Sequence, residues 1–171
     1  MSPIIAYQNL NPEIEKNVFI APGAHIIGDV KIGEESSIWF NTVVRGDVNW
    51  IKIGQRTNIQ DLSIIHVDSG GWPCQIGDDV TAGHRVILHG CEIADRVLIG
   101  MGSIVMNGVK IGEDSMIGAG SLVTENAVIP PRTLALGSPC KVKRDLTEKE
   151  IQMIKLSALH YAELAAQHFF P

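Results

Sequence analysis

Three of the six histidines fall within one window of 24 residues, as Ile65-His66, Gly83-His84 and Leu88-His89. Neutral imidazoles are the commonest nitrogen ligands of zinc, and a catalytic zinc site takes three protein ligands and keeps a fourth position open. The spacing admits such a centre. It also admits incidental polar side chains, and spacing alone does not choose between them. Upstream lies a polar cluster, Arg45, Asp47, Asn58, Gln60 and Asp61, within VVRGDVNWIKIGQRTNIQD. A surface Arg–Asp pair and a bend-forming Asn would account for these residues without any chemistry. His25, His160 and His168 are isolated and read as surface or helix-packing residues. Cys91, two residues after His89, invites a fourth-ligand reading, but a small buried thiol is the simpler one.

A site of this kind needs a rigid frame, and the frame is written in the chain as a period of six. An aliphatic residue recurs at Ile20, Ile26, Ile32, Ile38 and Val44. After a three-residue insertion around Trp50 it resumes at Ile53, Ile59 and Ile65. The segment DSGGWPCQ reads as a loop, followed by Ile76, Ala82 and Leu88. One residue is dropped before Ile93, and the rhythm continues through Ile99, Val105, Ile111, Ile117, Val123 and Ile129. His66 and His89 each directly follow an inward aliphatic position, whereas His84 falls two residues after Ala82, in a different phase.

Six residues fit neither a helix nor an alternating strand. They fit a short strand plus a sharp bend, three of which close a triangle of about 18 residues stacked on the next at about 4.8 Å. Gly, Asn and Asp are expected where the bends need unusual dihedrals. The pattern is an all-β solenoid, and it resembles the left-handed parallel β-helix of the hexapeptide-repeat superfamily, from which the handedness is taken. The repeat is expected to occupy residues 1–142. Residues 143–171 should form a C-terminal α-helix packed on the prism as part of a single domain. Thr147 and Glu150 make a capping box, Leu146 can staple onto Ile151, and Ile151, Ile154, Ala158, Ala162 and Ala165 define one helical face. A helix of about 21 residues spans roughly 31 Å, the height of about seven coils, so it can cover one face of the prism or dock on a neighbouring chain.

Composition narrows the function class. Hydrophobic residues make up 45% and charged residues 19%, which places the chain among ordered globular proteins. A net charge of −5 with scattered Lys and Arg argues against nucleic acid or an anionic membrane as partner. Cys74, Cys91 and Cys140 are too few for a disulfide framework, and the N-terminal stretch lacks the layout of a secretory signal. A cytoplasmic protein is expected.

The run RGD, then NIQD, then a His five residues after that Asp, then GHxxxxHGC, is similar to the gamma-class carbonic anhydrase family, in a short form without its acidic loop. The resemblance extends over nearly the whole chain, including GSPCKV and the terminal helix. It implies that His66, His84 and His89 hold a metal, Zn2+ with Fe2+ or Co2+ as alternatives. It implies a homotrimer with the site between subunits, His66 and His89 coming from one chain and His84 from its neighbour. Arg45 and Asp47 would pair at the subunit contact, Gln60 and Asp61 would position the reacting water, and Tyr161 would reach the site from the helix. The implied activity is reversible hydration of carbon dioxide by a metal-bound hydroxide. Two departures bear on rate. The prototypical members carry a Glu where this chain has Val48, and a long acid-rich loop where it has only DSGGWPCQ. Those acids export protons, so weak turnover is expected. The alternatives are a hexapeptide-repeat acyl-CoA thioesterase or acyltransferase, since one fold hosts many chemistries, and a non-catalytic metal-binding structural subunit.

Overall fold

A computed structural model describes residues 3–169. Short strands wind into a parallel β-solenoid of about seven turns, followed by one helix, Glu148–Phe169. Strand register resolves the hexads into three vertical aliphatic ladders. On the first face Ile26, Val44, Ile65, Leu88, Val105 and Val123 are successive partners. On the second the partners are Ile14, Ile32, Ile53, Ile76, Ile93, Ile111 and Ile129. On the third they are Ile20, Ile38, Ile59, Ala82, Ile99, Ile117 and Ala135. Every aliphatic position of the six-residue rhythm lands on one of these ladders. Most of the rungs are fully buried, and a buried Ile, Val or Leu side chain contributes about 1.5–3 kcal/mol through burial.

Three features of the winding add to the expectation or differ from it. The glycine that directly follows an aliphatic rung, as in Ile53-Gly54, Ile76-Gly77, Ile99-Gly100 and Ile111-Gly112, is not a bend residue. At Gly54 a Cβ would lie 2.6 Å from the Gly77 carbonyl carbon, and at Gly100 it would lie 2.4 Å from the Ala119 amide. Close stacking of coils, not backbone freedom, requires glycine there. The left-handed corners are taken by Gly, Asn and Asp, as at Gly102, Gly120, Asn41 and Asp79, and also by Leu62 (φ 62°), Arg85 (φ 60°) and Arg96 (φ 55°). The insertion around Trp50 does not break the strand: Val43–Ile53 is continuous, and the extra residues are absorbed where the pairing jumps from Gly28–Gly46 to Val30–Ile51. The expected loop is shorter than DSGGWPCQ, because Asp68 bridges back to Trp72 and Cys74–Ile76 is already strand.

Strand Lys141–Asp145 folds back antiparallel on Thr133–Leu136 and delivers the chain to the helix. The capping box forms: Glu150 N–H donates to Thr147 Oγ1 at 3.3 Å and Thr147 N–H to Glu150 Oε2 at 2.9 Å. Leu146 and Ile151 are buried in one cluster with Ile154, against Leu98, Met116 and Leu134 of the third face. At its far end the helix packs Ala165 on Phe19, Ala21 and Trp39. His168 stacks on Phe19 there, at 5.0 Å between ring centroids. The helix therefore lies on the third face of its own prism. No helix among the described residues is long and apolar enough to cross a membrane.

The cap carries a pH signature. The Arg144 guanidinium, with the Thr147 amide and hydroxyl, holds the Glu150 carboxyl down to about 2, against an ordinary 4.5. Because the folded value is depressed, this stabilisation is present above pH 4.5 and is lost as pH falls toward 2. In thermal melts Glu150→Gln is expected to be less stable than the wild type near pH 6. The gap should close toward pH 2.

Candidate metal centre

The first face places Arg45, His66 and His89 in register on three successive coils. Each follows a buried rung (Val44, Ile65, Leu88); His66 and His89 end their strands, while the strand of Arg45 runs on to Ile53. His66 Nδ1 lies 3.0 Å from His89 Nε2. The other nitrogen of each ring meets an acceptor. His66 Nε2 is 3.1 Å from Asp47 Oδ1, and His89 Nδ1 is 2.6 Å from Asn107 Oδ1. Arg45 donates to the second oxygen of Asp47 at 2.5 Å. Burial works to raise the Asp47 carboxyl, but hydrogen bonds from Arg45 and His66 outweigh it and leave it below the ordinary range. Burial, with Arg45 and His89 nearby, pushes His66 below its ordinary 6.5 even though Asp47 pulls the other way. Neutral imidazole is the ligand form.

This donor set fits a cation. A neutral imidazole carries one N–H, and acceptors stand at the outer nitrogen of both rings. With hydrogens on both outer nitrogens, two lone pairs would face each other across 3.0 Å, an unfavourable contact that a positive charge between them would relieve. Two nitrogens bound tetrahedrally to zinc at about 2.05 Å lie about 3.3 Å apart, so a few tenths of an ångström of ring movement suffices.

The other predicted residues gather at the opposite edge of the same face, where the chain turns in from the third face. Asp61 and His84 occupy consecutive coils at the corners of Leu62 and Arg85, with His84 Nδ1 2.7 Å from Asp61 Oδ2. That contact leaves Nε2 as the nitrogen His84 offers. Phe40 N–H donates to the other Asp61 oxygen at 3.2 Å. Gln60 is buried, and its amide donates to Asn58 Oδ1 at 3.1 Å. Tyr161 reaches this cluster from the helix. Burial and the Asp61 charge raise its hydroxyl, while a hydrogen bond to Gln60 opposes them.

One chain thus carries two groups. Arg45, Asp47, His66 and His89 stand at one edge of the first face, and Gln60, Asp61, His84 and Tyr161 at the other. Among the described residues no three of His, Cys, Asp or Glu cluster as a metal site. Between the edges the outward positions form an apolar stripe, Ile64, Ile87, Ile104 and Leu122, in which Ile64 is 44% and Ile104 38% exposed. Leu62 and Met101 extend the stripe at the corner, each 57% exposed. Cys91 is buried with its Sγ 3.8 Å from that of Cys74. Asn107 was not singled out by sequence reasoning. Its one signal is a place 18 residues after His89, the length of a coil.

The model of the family described as bacterial transferase hexapeptide (six repeats) matches residues 11–46 and 90–125. The solved structure of a Bacillus cereus protein, described as a presumed acetyltransferase, superposes with a TM-score of 0.95 at 48% identity, covering 96% of this chain and 95% of that one. Gamma carbonic anhydrase 1 of Arabidopsis thaliana mitochondria is 44% identical over 92% of the chain, which spans 59% of that protein. A Methanocaldococcus jannaschii protein named as a probable carbonic anhydrase is 57% identical over 89% of this chain and 95% of its own length. The chain belongs to the gamma-class carbonic anhydrase-like family of hexapeptide-repeat proteins. As a gamma-class member it is a short one. Val48 stands half exposed on the long strand, and the 68–73 excursion holds one acid, Asp68, whose carboxylate accepts from Gly70 N–H at 2.6 Å.

Proposed function

We propose that this chain is a metal-dependent carbon dioxide hydratase whose centre assembles between subunits of a homotrimer. The observation that carries the reading is the facing pair of His66 and His89, with both outer nitrogens met by acceptors. His66 Nδ1 and His89 Nε2 of one subunit and His84 Nε2 of the next would hold the ion. A divalent ion there supplies a Lewis acid that lowers the pKa of water and makes a nucleophile for carbon dioxide near neutral pH. Asp47, itself held by Arg45, fixes His66, and Asp61 fixes His84. Gln60, braced by Asn58 and Tyr161, presents an amide where a reacting oxygen can be oriented.

The split supports an assembly in a closed ring, as the proposed trimer is. The two groups face apart within one prism, and cyclic symmetry about the first face sets one edge of each subunit against the other edge of its neighbour. The apolar stripe between the edges is the kind of surface that such a contact buries. Light scattering on metal-loaded protein should give three times the chain mass of 18.6 kDa, with one divalent ion per chain by elemental analysis. A monomer at micromolar concentration would overturn the assembly. Trimer and metal without hydration of carbon dioxide, whether loaded with zinc, iron or cobalt, would turn the reading toward an acyl-CoA thioesterase or acyltransferase, or a structural subunit.

A further inference from the structure

We infer that Asn107, oriented by Asp68, is a positioning residue that fixes the tautomer of His89 and thereby selects which nitrogen faces the metal. The inference rests on the metal reading above. A carboxamide has one accepting and one donating end, and which end faces His89 is decided on its far side. There Asn107 Nδ2 donates to Asp68 Oδ2 at 3.4 Å, and an ionised carboxylate only accepts. The Oδ1 end must therefore face His89, at 2.6 Å from Nδ1. His89 then carries its hydrogen on Nδ1, and Nε2 is left as the lone-pair nitrogen opposite His66. Asn does not titrate, so this polarity is independent of pH so long as Asp68 is ionised.

Asp68 is itself pinned. Asn49 Nδ2 donates to its carbonyl at 3.1 Å, its N–H donates to Trp72 O at 3.1 Å, and its Oδ1 accepts from Gly70 N–H. Trp72 closes the excursion on the backbone beside both site residues. A Cβ on Gly90, next to His89, would lie 2.7 Å from Trp72 Cβ, and one on Gly108, next to Asn107, would lie 3.1 Å from the indole. The short 68–73 excursion therefore acts as a clamp whose polarity runs from Asp68 through Asn107 to His89. Hydrogen-bonded partners of ligating histidines set ring orientation and commonly change metal affinity 10–100-fold when removed.

The test uses full-length protein with 15N-labelled histidine, metal-free for tautomer assignment by long-range 15N–1H correlation and titrated with zinc against a chelator for affinity. In the wild type His89 should be the Nδ1–H tautomer. Asn107→Leu should shift His89 toward the other tautomer and weaken zinc about 10–100-fold. The double swap Asp68→Asn with Asn107→Asp keeps a donor facing an acceptor at each contact and should restore both readouts. It also guards against a folding defect in the Leu variant, which circular dichroism would reveal. An unchanged His89 tautomer in a folded Asn107→Leu protein would overturn the inference. Wild type that binds no zinc while its tautomer still answers to Asn107 would overturn the metal reading, and with it the ligand role given to Nε2.

Discussion

His84→Ala is expected to strip most of the metal from the protein and to leave the solenoid standing. The fold is carried by three buried aliphatic ladders, none of which includes His84. His84 sits at a corner with its side chain 44% exposed, and its polar contact is with Asp61, itself 32% exposed. Pairs of that exposure contribute about 0–1 kcal/mol, so the melting transition should barely move. On the proposed reading the ion, by contrast, loses one of only three protein ligands. Outer partners of ligands alone typically account for 10–100-fold in affinity, and a missing ligand should exceed that, at more than about 100-fold. Elemental analysis after dialysis, paired with far-UV circular dichroism and a thermal melt, reads both halves of the expectation. Full metal occupancy in the variant, or outright unfolding, would refute it.

The second large effect concerns buffer. Hydration of carbon dioxide to bicarbonate releases one proton per turnover, which must reach bulk solvent before the next. Val48, where the resemblance to the gamma class leads one to expect a carboxylate, is half exposed with nothing to ionise. Asp68, the one acid on the 68–73 excursion, is engaged by Gly70 and Asn107. Tyr161 is held above its ordinary 10 by burial and by Asp61, so it rarely ionises near neutrality. Proton export should therefore limit turnover, while substrate attack, whose residues are all present, should not. Positioned acids and bases typically contribute roughly 10²–10⁴-fold, and a mobile base can replace part of that. Stopped-flow rates should be low in dilute buffer and rise at least about tenfold as an imidazole-type buffer is raised to tens of millimolar. Fast turnover indifferent to buffer would show that another group of the chain moves the proton.

Phase was legible in the sequence because each inward rung must be aliphatic whatever the rest of its coil does. Ile20 through Ile129 can therefore be assigned to ladders from their spacing alone. The capping box at Thr147 and Glu150 was legible for a similar reason, since it depends on two residues three apart and on nothing distant. Glycine at the bends is legible and is found at Gly102, Gly108 and Gly120, but the glycine that follows an aliphatic rung answers a different need. A glycine that admits a neighbouring coil and a glycine that turns the chain look alike in one dimension, and only stacking separates Gly54 from a bend residue. The insertion around Trp50 shows in the sequence as a break in phase, and the pairing jumps at that place; that the strand runs on through it is not local information, because it depends on pairing with His25–Ile32 of the preceding coil. At the candidate site, residue types and phases brought out His66, His84 and His89, but not which acceptors stand behind each ring. Asp47 behind His66 and Asn107 behind His89 follow from how side chains cross between coils, which no local pattern records.

The claim that one site is divided between two subunits can be tested by mixing two variants that each lack one half. His84→Ala and His89→Ala proteins, purified separately, should each bind almost no metal. Unfolded together in equal amounts and refolded, they form trimers in which a complete site arises wherever an intact His66–His89 pair meets an intact His84 of the neighbour. Random assembly of a three-membered ring gives one such junction in every mixed trimer, or about a quarter of all sites. Elemental analysis of the refolded mixture should therefore read about 0.25 ion per chain. A reading near zero in mixed trimers of confirmed composition would mean that all three ligands come from one chain, or that these histidines hold no metal, and would contradict the divided site.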